Sequence, residues 1–226
     1  MRGLTLVMLC GMLGGCSSSA YEAAYVKRVA DHRAAAEFSA LRPASTSFGD
    51  GLTGLRLPAV LLNQLDGNDP ARPARPPFIP EFPGFASAFE APAEVADGTV
   101  SVMLTVGVVP GDRRQEAADS ILRQVRQDEE FRKATWQKGR EVVDLNGATR
   151  KWDVLELKGP QLFQVTKADL AAEKRIAGTT EVWLSADPRQ KACTILAWRV
   201  PDDAAASLPL PATSTLTARS VLASEP

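Results

Sequence analysis

A hairpin signal near the middle of the chain constrains the fold more than any other feature of the sequence. Asn146-Gly147 separates two runs, residues 140–145 and 148–159, that carry valine and leucine among charged residues. An Asn-Gly pair readily adopts the positive backbone angles of a two-residue turn between antiparallel strands. We therefore expect a tight β-hairpin at this position.

The segments around this hairpin also predict regular elements. Residues 98–109 alternate valine and leucine with small or polar residues, which indicates a strand. Asp112 is placed to cap a following helix, with Gln115 in the capping-box position. The apolar stripe of that helix consists of Ala117, Ala118, Ile121, Leu122 and Val125. Further along, the sequence predicts strands at residues 161–165, 179–185 and 192–200, a helical or looped excursion over 167–175, and a turn around 187–188.

Together these elements predict an α+β domain over residues 86–201. One strand, one helix and then about five strands in hairpin connections favour a mostly antiparallel sheet with one main helix packed on a face. This order of elements is loosely similar to PsbP-like domains, which occur in photosystem accessory proteins and some bacterial lipoproteins. The resemblance implies a role as a binding or assembly module.

An amphipathic helix is predicted ahead of the domain, over residues 21–41. Its apolar residues recur at steps of three and four, and Pro43 disfavours helical geometry in the residue before it. The helix could lie on a membrane, pair with another protein or pack on the domain, and its mixed charges make the membrane surface the weakest of these. The lone histidine of the chain, His32, is interpreted as a solvent-exposed helix residue.

Between this helix and the domain, proline dominates the sequence. Pro58 is placed to start a helical turn that Gly67 would end. Residues 68–85 are too rich in proline for a helix or an interior strand, so we expect a stiff spacer or an arm whose phenylalanines dock on the domain. Pro70, Pro73 and Arg75 also fit a PxxPxR peptide-recognition pattern.

The N-terminus has the pattern of an export signal. A short positive start, Met1-Arg2, precedes an apolar stretch that is too short to span a bilayer. Leu13-Gly14-Gly15-Cys16 then resembles the lipobox of bacterial lipoprotein precursors. The resemblance implies that a peptidase recognises Leu13, Gly14 and Gly15, removes residues 1–15 as a signal peptide, and leaves Cys16 carrying diacylglycerol and a further acyl chain such as palmitate. It also implies a lipid anchor in the bacterial cell envelope, facing the periplasm or the cell surface.

Counting cysteines is consistent with this interpretation. Of the three cysteines, Cys10 would leave with the signal peptide and Cys16 would carry lipid, so Cys193 would be the one free thiol. No intrachain disulfide could then form. Because Cys193 lies in a strand-like apolar run, we expect it to be buried as a small hydrophobe rather than to act as a nucleophile.

The sequence assigns no catalytic, cofactor-binding or metal-binding residue. It contains no GxSxG, P-loop, HExxH or paired CxxC motif. With 26 basic against 27 acidic residues, it offers no excess charge for binding nucleic acid. Trp152, Trp183 and Trp198 lie on predicted strands and are expected in the core, although a binding platform would use the same ring faces. Residues 202–226 have the composition of a disordered tail.

These observations lead to one preferred hypothesis and two alternatives. The preferred one is a lipid-anchored envelope protein that binds a protein partner as an accessory or assembly module, without catalysis. The anchor segment, helix and linker at residues 16–85 would set its reach from the membrane. The first alternative is an envelope hydrolase whose carboxylates converge only in the fold, in a pocket with two acidic side chains of separated pKa. The second is a small-ligand carrier.

Overall fold

The computed structural model describes residues 18–69, 74–168, 170–186, 191–204, 208–210 and 212–223. The chain forms two compact units, Met1–Phe38 and Ser39–Pro226. The predicted signal peptide and Cys16 lie outside the described residues.

The first unit contains helix α1, Ser18–Glu37. The helix ends at Glu37, four residues before the predicted end at Leu41. Tyr21, Tyr25 and Val26 are exposed, as is His32, so the predicted apolar face is not confirmed. Within the described part of the chain, no helix has the length and apolar character needed to cross a membrane.

The described part of the second unit contains ten strands and two further helices. The strands are β1 Thr46–Phe48, β2 Thr53–Leu55, β3 Asn63–Leu65, β4 Phe85–Val95, β5 Gly98–Pro110, β6 Gln137–Val143, β7 Thr149–Lys167, β8 Leu170–Ser185, β9 Ala192–Pro201 and β10 Leu222–Ala223. The helices are α2 Arg114–Val125 and α3 Ala212–Arg219. Seven strands form an antiparallel sheet in the order β3-β4-β5-β9-β8-β7-β6, and β1, β2 and β10 form a small second sheet. The α+β class and the mainly antiparallel sheet are therefore confirmed.

The hairpin predicted from Asn146-Gly147 joins β6 to β7, but its connection is longer than two residues. Val143 pairs with Thr149, and Gly147 has a φ of 82°. Asp144 organises the loop, because its carboxylate accepts hydrogen bonds from the amides of Asn146 and Ala148 and from the Arg150 side chain. A carboxylate that satisfies this many donors stabilises the longer loop over the tight turn.

The longest hairpin of the sheet, β7–β8, corrects another prediction. The described residues of the range 167–175 form neither a helix nor a loop excursion, since β7 and β8 stay paired as far as Lys167 and Leu170. Gly159 and Gly178 pair directly across this hairpin, and Gly159 has a φ of 138°. We infer that the hairpin changes direction at this pair of glycines, because its outer half leaves β9 and pairs instead with β5.

Each face of the large sheet carries its own apolar core. On one face, Ala117, Ile121 and Val125 of α2 pack against β7, β8 and β9, as predicted for the helix stripe. On the other face, residues from the N-terminal segment 48–61 and from α3 pack over a core that includes Trp152, Trp183 and Trp198. These three tryptophans are at most 1% exposed, which confirms their predicted core position.

Several other local predictions are wrong. The residues expected to form a helical turn after Pro58 lead instead into strand β3, which pairs with β4, and β4 itself was not anticipated. Asp112 does not cap α2, because it lies inside a 3₁₀ turn, Gly111–Arg113, and the helix begins after Arg113 without a side-chain cap.

The C-terminal residues 202–226 also differ from their predicted disorder. Their described part includes α3, whose Ser214 and Thr217 are fully buried, and the Ser214 hydroxyl donates a hydrogen bond to the buried carboxylate of Glu181. The serines and threonines that made the segment appear disordered are thus hydrogen-bonded inside the fold.

Upstream of β4, the proline-rich segment behaves as the predicted arm. Ile79 and Phe82 are buried against the α2 face, with Phe78 and Phe85 packed beside them.

Candidate functional site

One cleft among the described residues lies where β9 ends and the outer half of the β7–β8 hairpin crosses to β5. Its volume is about 280 Å³. Five strands line it, through Asn63, Leu65, Glu90, Pro92, Thr99, Val100, Ser101, Met103, Gln164, Thr166 and Arg199.

Strand register explains why these side chains meet. Asn63 pairs with Glu90, Glu90 with Met103, and Met103 with Arg199, so the four residues form one row across four strands. Residues directly opposite one another in neighbouring strands point to the same face. That face is the one that α2 covers, because Arg199 follows Ala197 by two residues and Ala197 packs in the α2 core. The row therefore lies on the same sheet face as the apolar residues under α2, but most of its side chains are polar.

Arg199 is the residue that sets this cleft apart. Its side chain is only 7% exposed, and its guanidinium carbon lies 5.1 Å from the centre of the Phe163 ring. Among the described residues, its Nε and Nη1 atoms are buried and donate to no acceptor. Burial lowers the pKa of this guanidinium to about 10, well below its ordinary value. Within the described part of the chain, no carboxylate forms an ion pair with this cation, which is therefore buried without a compensating anion there.

The polar groups next to Arg199 are hydrogen-bonded to one another. Thr180, its partner on β8, donates to the side-chain oxygen of Gln161, and the Gln161 amide nitrogen donates to the backbone oxygens of Leu157 and Gly178. On the opposite side of Met103, the Glu90 carboxylate accepts a hydrogen bond from Ser101. Strands are about 4.8 Å apart, so Glu90 and Arg199 are separated by roughly 10 Å at the backbone.

The walls of the cleft divide into an apolar and a polar part. Leu65, Val100 and Met103 are buried and present hydrocarbon or thioether surface. Gln164 and Thr166, from the outer half of β7, are exposed and present an amide and a hydroxyl group. Such a lining suits a ligand with both an apolar and a hydrogen-bonding part.

A hydrolase of the expected kind would need two carboxylates in one pocket. Two smaller clefts each contain two carboxylates, Glu81 with Glu116 and Asp119 with Asp153. In each cleft one carboxylate is paired with arginine. A hydrogen bond from Arg113 lowers the pKa of the exposed Glu116, and Arg114 forms an ion pair with Asp153. Within the described ranges, no group of three or more His, Cys, Asp or Glu side chains could hold a metal ion.

The residues singled out from sequence have different outcomes. Cys16 and its recognition residues Leu13, Gly14 and Gly15 lie outside the described residues, as do Pro70 and Pro73 of the PxxPxR pattern. Cys193 is 2% exposed and is a free thiol, as expected, and burial raises its pKa.

Sequence reasoning missed both Glu90 and Arg199. The available signal was a charged residue inside an apolar strand, Arg199 in the run 192–200, at a position that alternation assigns to a buried face.

Comparison with known proteins gives only loose likenesses. No family model matches the sequence. No curated protein matches it either. The chain is similar to the solution structure of cyanobacterial PsbP (CyanoP) from Synechocystis, with 12% identity and a TM-score of 0.40 over 82% of this chain and 93% of that one. It is also similar to a crystal structure from Bacteroides thetaiotaomicron, with 12% identity and a TM-score of 0.30 over 61% of this chain and 45% of the other. The resemblance to PsbP-like domains is therefore loose.

Proposed function

We propose that this chain is a lipid-anchored accessory module of the bacterial cell envelope, which acts by binding and without catalysis, and that it binds at the Arg199 cleft. The observation that carries this proposal is the buried guanidinium of Arg199, whose Nε and Nη1 have no acceptor among the described residues. An anion bound in the cleft, which Arg199 lines, would compensate the charge of this guanidinium.

The energetic cost of burying a charge favours a ligand-binding role for Arg199 over a role in stabilising the fold. Buried charges in proteins are nearly always paired, since an unpaired one lowers stability. A structural arginine would meet a carboxylate or backbone oxygen of its own chain, as Arg150 meets Asp144 at 2.6 Å. Arg199 lines an open cleft instead, so its pairing is left to a molecule from outside.

The anchor is supported by the sequence around Cys16. The lipobox resemblance ends at Cys16, and helix α1 begins two residues later, at Ser18. A helix of 20 residues is about 30 Å long. Tyr21 and Tyr25, four residues apart and both exposed, lie on one side of this helix, where an envelope protein could contact them.

Native membranes provide the test of the anchor. The wild-type protein and Cys16→Ser are compared by fractionation and mass spectrometry, with Cys193→Ala as a control that removes the other thiol of the predicted mature chain. We expect Cys16→Ser to lose membrane association and the acyl mass, and the control to keep both. Normal membrane retention of Cys16→Ser without lipid would overturn the lipoprotein assignment.

The same membranes test the binding role. After chemical crosslinking, the anchored wild-type protein should recover a stoichiometric protein partner, and Arg199→Met should recover much less of it. Equal recovery by both proteins would show that partner binding does not use the cleft. Recovery of no partner by the wild type would overturn the accessory role.

A further inference from the structure

The side chains that line the cleft indicate which class of ligand it binds. We infer that the cleft binds a small organic carboxylate, whose oxygens accept hydrogen bonds from the guanidinium of Arg199. This inference rests on the proposed binding role of the cleft. It adds the charge, size and polarity of the ligand.

An anion suits the site because the described residues supply no acceptor to the Nε and Nη1 atoms of Arg199. Met103 and Thr180 pair with Arg199 in the neighbouring strands, and Gln161 is hydrogen-bonded to Thr180. Met103 offers only a thioether, and neither Thr180 nor Gln161 accepts a hydrogen bond from these two atoms. The one partner that the described residues provide is the face of the Phe163 ring, which attracts a cation but accepts no conventional hydrogen bond. Planar carboxylates match the geometry of guanidinium donors well.

Charge balance favours a ligand with one negative charge. Among the described residues that line the cleft, Arg199 is the one cation and Glu90 is the one carboxylate. Because Arg199 is the one cation among these residues, it can pair with one negative charge, and a dianion such as phosphate would bring a second charge that no described lining residue neutralises. A carboxylate therefore suits the site better than a phosphate does.

Size and wall chemistry favour a short carbon skeleton attached to the carboxylate. A volume of about 280 Å³ is near the lower end of the range for small-molecule sites. Leu65, Val100 and Met103 can contact a short hydrocarbon part, and Gln164 and Thr166 can bond a polar substituent at the rim. Acids with four or five carbons fit this description better than acetate does.

Titration of the purified full-length mature protein, with its lipid anchor in detergent, tests the inference. Butyrate, acetate and inorganic phosphate are added at constant ionic strength, with chloride as the reference anion. Binding is followed by the NMR signal of the arginine Nε–H group and by the shift in melting temperature. We expect saturable binding of butyrate, weaker binding of acetate, and no more effect from phosphate than from chloride.

Variants locate the site. Arg199→Met should weaken butyrate binding at least tenfold, and Leu65→Ala, which removes part of the apolar wall that contacts the hydrocarbon chain, by a smaller factor. The second variant keeps the test open if the first does not fold. Arg140→Met is the matched control, since Arg140 also lies over an aromatic ring, that of Trp183, but does not line the cleft. It should bind butyrate like the wild type.

Three results would overturn the inference: phosphate binding more tightly than butyrate, butyrate acting no differently from chloride, or unchanged butyrate binding in Arg199→Met. If any of these occurs while capture of the membrane partner still depends on Arg199, the proposed function stands and only the ligand class is wrong. If partner capture is also independent of Arg199, the cleft is not the binding site.

Discussion

Replacing Arg199 with methionine should make the ligand-free protein more stable, even though it removes the residue on which binding depends. Methionine has a similar length and no charge, so it can fill the same space without an unsatisfied donor. Buried ionic groups replaced by apolar residues of similar volume often give a neutral or stabilising change.

The magnitude follows from two opposing contributions. Burial lowers the pKa of Arg199 to about 10, well below its ordinary value. At about 1.36 kcal/mol per pKa unit, this corresponds to roughly 3 kcal/mol of unfavourable burial for the charged form. The substitution also removes the contact of the guanidinium with the Phe163 ring, worth about 2 kcal/mol when the cation is desolvated. The net expectation is an increase of about 1 kcal/mol in the free energy of unfolding.

Urea denaturation at pH 7, in a buffer free of carboxylates and phosphate, measures this change. Arg140→Met serves as the control, because it loses a contact of the same kind with Trp183 and should lower stability by about 0.5–1 kcal/mol.

The pH dependence of stability gives an independent check. Between pH 10 and 12.5 the unfolded state holds a proton on Arg199 that the folded state has released, so this contribution to wild-type stability rises with pH. The advantage of Arg199→Met should therefore shrink above pH 10. A variant less stable than the wild type by more than about 1 kcal/mol would refute the reasoning, because Arg199 would then have a structural partner.

Three further predictions concern other parts of the fold. Asp144→Ala should lower the free energy of unfolding by about 2–3 kcal/mol in urea, because two loop amides and Arg150 lose their acceptor. Burial alone would raise the pKa of Asp144, but these hydrogen bonds outweigh it and lower the pKa, so its contribution is present above pH 3.8 and is lost in acid melts below that value. Gly84→Ala should cost at least about 2 kcal/mol by the same urea assay, since Gly84 has a φ of 58° and a Cβ would lie 2.2 Å from the backbone oxygen of Val108. Cys193 should resist iodoacetamide in the native protein and react after unfolding, because burial raises the pKa of its thiol. Mass spectrometry measures the labelling, and rapid labelling of the native protein would contradict this prediction.

The sequence predicted the strands and helices whose conformation follows from their own hydrophobic periodicity. The alternation in residues 98–109 became β5, and the stripe on α2 faces its core. Strand β4 was missed because alanine and Pro92 give it little intrinsic β propensity. Its conformation comes from pairing along its length with β5. The segment containing α3 was missed because its serines and threonines suggested disorder, whereas Ser214 finds its partner on a distant strand.

The candidate site was beyond sequence reasoning for a similar reason. Alternation along β9 assigns Arg199 to the same face as Ala197, and that inference was available from residues 192–200 alone. Whether the arginine would meet an acceptor there depended on which segment lies next to β5 beyond the end of β9. That segment is the outer half of the β7–β8 hairpin, which the sequence did not predict as a continuous hairpin.

The glycine pair in this hairpin connects the fold to the site. A Cβ on Gly178 would lie 2.9 Å from the ring of Phe163, so glycine allows that ring to pack directly against the hairpin backbone. The same ring lies under the guanidinium of Arg199. The hairpin thus places an aromatic face against a buried cation, and none of its described carboxylates forms an ion pair with that cation, which leaves the charge partly compensated. Arg199 therefore has opposite effects in the two states of the protein. Without a ligand it lowers stability, because its buried charge lacks an acceptor. With an anion bound to it, the same charge raises stability.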